Sequence, residues 1–300
     1  MPSLEQGKVI KATGGFFTVL STEGKLFRCR ARGNLKKNNL SLLVGDRVMF
    51  IIQRSALGTA PDEGIIEKLL PRSNCLKRPA VANVDQLVVI MSLREPSLDW
   101  QWANRLLVLA EKEKIKALLC LNKVDLVTDQ EIEQLNSELI PFPYHYLYSS
   151  ALSRKGLEAL AAALDNKCSV FAGPSGVGKS SLLNALQPGL KLQTGQVSSK
   201  IKRGRHTTRQ AKLLPLDQGG SVVDTPGFTR LDFSDIKAEE LPSLFPEYAS
   251  YQGQCAFRNC RHLSEPNCAV QENLGISINR QRYKHYRYFM EELNSRQEVY

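Results

Sequence analysis

The sequence lacks long apolar runs, a leader-like N-terminus and internal repeats. No window approaches about 18 consecutive apolar residues, so a membrane-spanning helix is not expected. The first fifteen residues have no apolar core of signal-peptide length, and we expect them to belong to the mature structure. The chain has no internal repeats and no low-complexity tracts. We therefore expect a cytoplasmic protein with no membrane partner, whose 300 residues form two or three domains.

Acidic residues are scarce in two segments, and positive charge is clustered there as a result. The chain has a net charge of +10 and a pI of about 9.3. Residues 1–72 hold twelve Lys or Arg against six acids, and residues 196–212 hold six basic residues and no acid. Clustering of this kind favours a polyanionic partner such as RNA over a general gain in solubility.

Residues 1–72 contain five short strand-like segments separated by turns, several of which contain glycine. Five short strands with little helix predict a small closed barrel of the OB type, and an SH3-like barrel without a ligand is the alternative. OB barrels often carry single-stranded nucleic acid on a basic, aromatic face. We therefore interpret residues 1–72 as an RNA-binding domain.

Strands and helices alternate from residue 84, after a basic, proline-containing link at 71–79. The alternation predicts a mostly parallel sheet with helices on both faces. Beyond about residue 232 the sequence becomes polar, cysteine-containing and mostly helical. The predicted fold is multidomain: an OB-fold β-barrel (1–72), an α/β domain (73–232) and a mainly helical C-terminal domain (233–300).

A phosphate-binding loop is encoded by GPSGVGKS at 173–180, which matches GxxxxGK[ST]. It follows an apolar strand and opens a helix, a context that separates this motif from a chance glycine-rich turn. The glycines let backbone N–H groups surround the phosphates. Lys179 would reach the β- and γ-phosphate oxygens, and the Ser180 hydroxyl would bind Mg²⁺.

Three further motifs complete a guanine-nucleotide site. DTPG at 224–227 places Asp224 near Mg²⁺ and the Gly227 N–H near the γ-phosphate. In NKVD at 122–125, the Asp125 carboxylate can accept from N1–H and the 2-amino group of guanine, a pair that adenine lacks. SSAL at 149–152 resembles the loop whose backbone N–H reads guanine O6, with leucine in place of the usual lysine. The predicted nucleotide-binding residues are Asn122, Lys123, Val124, Asp125, Ser150, Ala151, Gly173, Pro174, Ser175, Gly176, Val177, Gly178, Lys179, Ser180, Ser181, Asp224 and Gly227.

The motif order is NKVD, SSA, GPSGVGKS, HTT, DTPG, whereas an ordinary Ras-like GTPase has its phosphate loop first. The order is a circular permutation, which is physically inexpensive because domain termini usually lie close together at the surface. The cut after DTPG joins the γ-phosphate-sensing loop directly to the C-terminal domain, so hydrolysis could act on that domain. A neutral rearrangement is the alternative.

The segment QCAFRNCRHLSEPNCAV at 254–270 contains Cys255, Cys260, His262 and Cys268. Three thiolates and one imidazole make a closed tetrahedral set, so one structural zinc ion per chain is expected. Disulfides or free thiols are the alternative, and a cytosolic nucleotide-binding chain argues against disulfides. Four other cysteines are scattered, and we interpret them as core or incidental residues: Cys29, Cys75, Cys120 and Cys168.

The helix predicted after the cysteine segment has two distinct sets of residues. Tyr283, Tyr286, Met290 and Leu293 recur at helical spacing and predict a packing face. The basic set marks either an RNA-facing surface or a solvated face: Arg280, Arg282, Lys284 and Arg287.

The basic N-terminal barrel, the permuted motifs and the CxxxxCxHxxxxxC cluster together resemble the RsgA (YjeQ) family of small-ribosomal-subunit biogenesis GTPases. The resemblance covers essentially the whole chain. It implies an OB-fold, a circularly permuted P-loop GTPase and a C-terminal zinc domain. It also implies binding to the small ribosomal subunit through its rRNA, GTP hydrolysis stimulated by that subunit, and a role in its late maturation. We expect a monomer that binds Mg²⁺ together with GTP or GDP. The alternatives are an RNA-binding scaffold that uses GTP as a structural ligand, and a GTPase of the large subunit.

The usual water-orienting glutamine is missing. In many Ras-like GTPases a Gln follows the DxxG glycine, and here Phe228 occupies that position. A phenyl ring cannot orient water by hydrogen bonding, so the isolated enzyme should be slow. In GRHTTR at 204–209, Thr207 or Thr208 would bind Mg²⁺, and we favour Thr208. His206 is the candidate for positioning the attacking water, and the alternative is that it only contacts RNA. With Lys179, His206 and Thr208 form the predicted catalytic set.

Overall fold

The computed structural model describes residues 4–33, 35, 41–53, 63–77, 80–190, 192, 211–224 and 233–297. The N-terminal body is a β-barrel, and the central body is an α/β domain whose sheet joins the barrel edge to edge. A C-terminal unit built from short 3₁₀ helices and one long helix packs against the central body. Within the described ranges, no helix is long and apolar enough to cross a bilayer.

The N-terminal body is a closed barrel of five strands: β1 (Leu4–Thr13), β2 (Phe16–Ser21), β3 (Leu26–Ala31), β4 (Arg47–Gln53) and β5 (Glu63–Leu69). The strand order is β1-β2-β3-β5-β4, and pairing of β4 back onto β1 closes the barrel. β3 and β5 run parallel and the other pairs antiparallel. Side chains alternate along β3, where Phe27 and Cys29 are buried while Arg28 and Arg30 are exposed. This barrel confirms the predicted OB-type fold.

The segment predicted as a basic link (71–79) contains the short strand β6 (Cys75–Lys77), which pairs with β7 (Ala80–Ala82) just beyond it. Asn74 bonds the backbone of Val84 in both directions: its Oδ1 accepts from Val84 N at 2.9 Å, and its Nδ2 donates to Val84 O at 2.7 Å. Val81 is fully buried. The Asn74 amide and the buried Val81 side chain therefore hold this part of the chain in a fixed conformation. The basic, proline-containing composition of the link did not predict either contact.

The central sheet holds six strands: β8 (Gln86–Ser92), β9 (Lys116–Asn122), β10 (His145–Ser149), β11 (Cys168–Ala172), β12 (Lys212–Pro215) and β13 (Ser221–Asp224). Their order is β10-β9-β8-β11-β13-β12, parallel except for β12 against β13. Among the described residues, four α-helices lie between these strands in the chain: α1 (Trp100–Lys112), α2 (Asp129–Leu139), α3 (Leu157–Leu164) and α4 (Lys179–Leu186). Every residue of β8 and β11 is buried, as expected for strands covered on both faces.

The barrel is fixed to the central sheet at two places. β1 pairs with β12 at Lys11 and Lys212, which makes the two bodies one continuous sheet. Gly45, at φ +89°, lies so close to the carbonyl of Ala82 that a Cβ would collide with it. Asn83 Nδ2 donates to Gly45 O at 3.0 Å. The barrel therefore has a defined position on the central sheet.

The C-terminal unit contains 3₁₀ helices at Ala238–Leu244 and Pro246–Tyr251, then α5 (Ala269–Glu272) and α6 (Arg280–Gln297). Two further 3₁₀ turns lie in the central body at Val124–Leu126 and Pro188–Leu190. The predicted packing face of α6 is confirmed, because all four of its members are buried: Tyr283, Tyr286, Met290 and Leu293.

Arg282 corrects the prediction for the basic residues of α6. Its side chain is 1% exposed and pairs with Glu247 at 2.5 Å. It also donates to Asn104 Oδ1 on α1 at 2.6 Å and to the Tyr144 hydroxyl at 3.2 Å. Arg282 thus joins the C-terminal unit to the central body and faces no RNA. The other three basic residues of that set are exposed, as predicted for either alternative: Arg280, Lys284 and Arg287.

Replacing Arg282 by alanine should lower the free energy of unfolding by about 3–5 kcal/mol, because it leaves the Glu247 carboxylate charged and unpaired in the interior. Chemical denaturation followed by circular dichroism measures the change. The control is Arg94→Ala, which breaks the exposed Arg94–Glu131 pair and should cost about 0.2–1 kcal/mol. Equal losses in the two variants would show that the buried pair does not stabilise the interface.

Candidate nucleotide site and metal centre

The predicted motifs meet at one edge of the central sheet. β9 ends at Asn122, β10 at Ser149 and β11 at Ala172, and these strands run parallel. In register, Asn122 lies beside Ser149 on one side and beside Ser92 on the other. The carboxyl ends of parallel strands share one edge, and open α/β sheets bind their ligands there. The permuted chain therefore brings its base-reading and phosphate-binding loops together.

Asn122 ties the two loops directly. Its side chain is buried, its Nδ2 donates to Val177 O in the phosphate loop at 2.8 Å, and its Oδ1 accepts from Ser149 Oγ at 3.1 Å. Sequence reasoning placed Asn122 against the guanine and gave no role to Ser149, the first residue of the SSAL motif. The available signal was a small hydroxyl residue at the end of the strand that neighbours β9.

The phosphate loop has the backbone that its sequence predicts. Gly176 and Gly178 have φ of +86° and +97°, and a Cβ on Gly178 would collide with Asn122 Nδ2. Val177 is buried in the core, which pins the centre of the loop. Lys179 opens α4, and its Nζ donates to Gly173 O at 2.6 Å and Pro174 O at 2.7 Å. The ammonium group therefore lies at the concave side of a loop that ends in a helix N-terminus, a geometry suited to phosphate.

The base-reading residues lie on a tight turn. Lys123 has a left-handed backbone, and its Nζ donates to Glu95 O. Val124 is buried and begins the 3₁₀ turn, whereas Asp125 is exposed and free to meet a ligand. The turn thus anchors one side chain in the core and presents the next to solvent.

The loop after β10 is held by Ser150. Its Oγ accepts from the backbone N–H of Leu152 at 3.2 Å and of Ser153 at 3.0 Å, while its own N–H donates to Lys155 O at 2.9 Å. Ala151 is half-buried and packs on the core beside β10, and Leu152 is 83% exposed. The backbone of this loop is therefore rigid enough to present N–H groups to a base.

Several predicted site residues lie outside the described residues. They are His206, Thr207, Thr208, Gly227 and Phe228. The backbone of Asp224 ends β13 beside β11, at the edge where the phosphate loop begins. Ser175 is exposed, and Ser180 and Ser181 in the first turn of α4 are half-buried.

The predicted metal ligands converge. One ligand atom from each of Cys255, Cys260, His262 and Cys268 lies within 4.8 Å of the others. The Cys255 and Cys268 sulfurs are 4.0 Å apart, and His262 Nδ1 lies 3.6 Å and 3.3 Å from them. A tetrahedron with metal–sulfur bonds of about 2.3 Å has edges of about 3.8 Å, so a cation the size of zinc fits. A sulfur separation of 4.0 Å excludes a disulfide between these two.

Hydrogen bonds outside the cluster hold its loop in shape. The Glu265 carboxylate accepts from the backbone N–H of Arg261 at 2.6 Å, Leu263 at 2.7 Å and Ser264 at 3.0 Å. The Tyr283 hydroxyl donates to His262 O at 2.7 Å, and Tyr286 donates to Arg261 O. α6 therefore supports the cluster as well as packing on the central body.

The four remaining cysteines match their prediction as core or incidental residues. Burial raises the pKa of Cys29 and Cys120 to about 12, and it also raises the pKa of Cys168. Burial likewise raises the pKa of Cys75, which is half-buried. Thiols held protonated at neutral pH are poor nucleophiles and poor metal ligands.

Comparison with known proteins agrees with this geometry. Residues 69–234 match the RsgA GTPase family model, and residues 6–60 match the RsgA N-terminal domain model. A relative from Moorella thermoacetica is 46% identical, covering 97% of this chain and 98% of its own, and one from a Geobacillus species is 43% identical, covering 99% and 100%. Both are named small ribosomal subunit biogenesis GTPase RsgA.

Solved structures agree as well. The crystal structure of YjeQ from Thermotoga maritima superposes with a TM-score of 0.83 at 37% identity and covers 97% of this chain and 99% of its own. YloQ, described as a circularly permuted GTPase, gives 0.80 at 36% identity and covers 98% and 96%. Fold and site together define a circularly permuted P-loop GTPase with an N-terminal OB-type barrel and a C-terminal Cys₃His cluster. Within that class, the chain belongs to the RsgA GTPase family.

Proposed function

We propose that this chain hydrolyses GTP on the small ribosomal subunit and thereby assists late maturation of that subunit in the cytoplasm. The observation that carries the proposal is the Asn122 side chain, which links the guanine-reading turn to the phosphate loop. The ribosomal role is supported by relatives of this name that match over nearly the full chain. The proposed units are the barrel (1–72), the GTPase (73–232) and the metal-binding unit (233–300), acting as a monomer.

Nucleotide binding is assigned to three loops at the sheet edge. Asp125 would accept from the guanine edge, and Ala151 would offer its backbone N–H to guanine O6. The phosphate-loop amides and Lys179 would hold the phosphates, with the Mg²⁺ ligand supplied by Ser180. Thr208 and Asp224 would complete the magnesium shell in the GTP state. The bound magnesium ion would neutralise charge on the β- and γ-phosphates.

Zinc is the metal that the four-ligand cluster suits best. Three sulfurs and one imidazole nitrogen within 4.8 Å fill a tetrahedral shell and leave no position for water or substrate. The ion would hold the loop at 255–268 against α6 and would take no part in hydrolysis.

Protein purified without chelator should contain one zinc ion per chain by elemental analysis, because the four ligands lie close enough to share one ion. Removing the zinc should expose thiols to a titrating reagent and loosen the C-terminal unit. As a matched control, Cys75→Ser lies outside the cluster and should leave the zinc content unchanged. Protein free of zinc in which the half-buried thiols of Cys255 and Cys260 react in the native state would contradict this assignment.

RNA contact is assigned first to the outer face of β2 and β3. There the Arg28 guanidinium lies 3.9 Å from the centre of the Phe16 ring, and that of Arg30 lies 4.6 Å from it. An aromatic ring flanked by cations is the usual surface of OB barrels that hold single strands. Deleting the barrel would be a poor test, because Ile10 and Val44 belong to the core shared with the central body.

Point substitutions test the same face without opening the core. Arg28→Gln and Arg30→Gln should each weaken RNA binding and flatten the plot of log K against log[salt] by about 0.7–0.9 per lost phosphate contact. Filter binding across a salt series measures this slope. Lys116→Gln, on the exposed end of β9, is the control and should leave the slope unchanged. Unaltered slopes in both barrel variants would place the RNA site elsewhere.

The decisive test of the function is GTP turnover with each purified ribosomal subunit in turn. We expect small subunits to accelerate hydrolysis and large subunits to leave it unchanged. Turnover that neither subunit alters, with tight GTP binding, would favour the scaffold that uses GTP as a structural ligand. Acceleration by large subunits alone would favour a GTPase that acts on the large subunit.

A further inference from the structure

A cavity of about 630 Å³ lies beside the metal cluster. It is bounded by the loop from Cys255 to His262 on one side and by the 3₁₀ helix at Pro246–Tyr251 on the other. Its volume falls within the range of sites that hold small ligands, about 300–1,000 Å³. The cavity is remote in the chain from the nucleotide loops, and the proposed GTPase reaction makes no use of it.

Phe257 forms one wall and is 52% exposed. It lies between two metal ligands, and its carbonyl accepts from Cys260 N at 3.2 Å. The preceding residue, Ala256, donates its N–H to Asn267 O at 3.2 Å. The ring is therefore held open to solvent by a constrained loop, although it would gain free energy by being covered.

The floor of the cavity is aromatic. Tyr248 is buried, its ring stacks on Phe245 at 5.3 Å, and it meets the His262 ring edge-on at 5.4 Å. Because Tyr248 contacts the metal ligand His262, the floor of the cavity packs directly against the metal cluster. A planar ligand entering here could stack on the exposed Phe257 ring beside this aromatic floor.

The rim is polar and carries positive charge. Arg258 is exposed and has no ion-pair partner within the described part of the chain, whereas Arg261 pairs with Glu239 at 3.2 Å. The amides of Gln252 and Asn259 also line the cavity and are exposed. An unpaired guanidinium suits a phosphate, and primary amides can donate to and accept from the edge of a base.

We propose that this cavity binds one unstacked nucleobase of single-stranded RNA, with the base stacked on Phe257 and its phosphate on Arg258. The inference rests on the proposed function, in which RNA is the partner. Stacking on an aromatic side chain tolerates any base, and a base paired within a duplex cannot reach such a wall. The cluster would thus hold the aromatic wall at a fixed distance from the floor.

The test uses the full-length, zinc-loaded chain and a uridine octamer containing one 4-thiouridine. Fluorescence anisotropy should show tighter binding of the single strand than of its duplex with oligoadenosine. Phe257→Ala should weaken single-strand binding by about 5- to 150-fold, the usual loss for one stacked base. Phe257→Trp should retain binding. Ile276→Ala, which removes another exposed apolar side chain outside the cavity, should have no effect.

Photocrosslinking localises the contact. Crosslinks from the 4-thiouridine should map by mass spectrometry to the peptide spanning 255–262. The proposal is overturned if Phe257→Ala keeps both wild-type zinc content and wild-type affinity, or if all crosslinks map to the barrel. The proposed function is judged separately by wild-type turnover on small subunits, so stimulated turnover with an unaffected Phe257→Ala variant would reject the cavity alone.

Discussion

Asp125→Asn should exchange guanine selectivity for xanthine selectivity. Xanthine carries a carbonyl where guanine carries its 2-amino group, so an asparagine amide can donate where the aspartate carboxylate accepted. A site built to pair a base edge discriminates by about 10⁴–10⁵ against a ligand that leaves its polar groups unpaired. Competition between GTP and XTP for a fluorescent nucleotide on the wild-type and variant chains measures the change.

Asp129→Asn supplies the matched control for this exchange. Asp129 is exposed like Asp125 but lies in the first turn of α2, four residues further along the chain. Its substitution should leave the preference for GTP intact. If Asp125→Asn also keeps full preference for GTP over XTP, the guanine edge is read by another residue and the assignment of NKVD is wrong.

His206→Ala should lose most of the hydrolysis that small subunits stimulate, while binding GTP and the subunit nearly normally. Phe228 replaces the usual glutamine, so a second group must position the attacking water. One such group is typically worth about 10²–10⁴ in rate. Single-turnover hydrolysis on saturating small subunits measures this rate.

Two further variants serve as controls for the His206→Ala measurement. His145→Ala removes an exposed histidine at the start of β10, the end of the strand remote from the nucleotide edge, and should hydrolyse normally. Lys179→Ala should instead lose nucleotide affinity. A His206→Ala chain that hydrolyses at the wild-type stimulated rate would mean that the ribosomal partner positions the water.

The sequence predicted the features that depend on local pattern. The apolar runs of β8 and β11, the alternation of β3 and the glycine spacing of the phosphate loop each specify a backbone through neighbouring residues. The four metal ligands could be predicted for the same reason, since they lie within fourteen residues of one another.

Contacts between distant residues could not be predicted in this way. Arg282 looked like a surface cation because its helix is rich in charge, yet its partners Glu247 and Asn104 lie 35 and 178 residues away. The bonds from Asn122 to Ser149 and Val177 depend on strand order and register, which periodicity does not contain. The hairpin at β6 and β7 likewise depends on Val81, which pairs with Val44 and packs in a core shared with the barrel.

The pairing of β1 with β12 has a consequence for how RNA would reach the basic segment at 196–212. Lys212 of β12 is hydrogen-bonded into the barrel edge, and at the far end of the segment Leu192 is held by both amide atoms of Asn184 at 2.8 Å. The chain that contains this basic segment is thus anchored on both sides, at Leu192 and at Lys212. An RNA strand seated on the barrel would present its next phosphates at high effective concentration to the basic residues of that segment. RNA contacts at the barrel and at these basic residues would then behave as two linked valences of a single RNA ligand, and the second contact would cost far less than it would for a separate peptide of the same sequence.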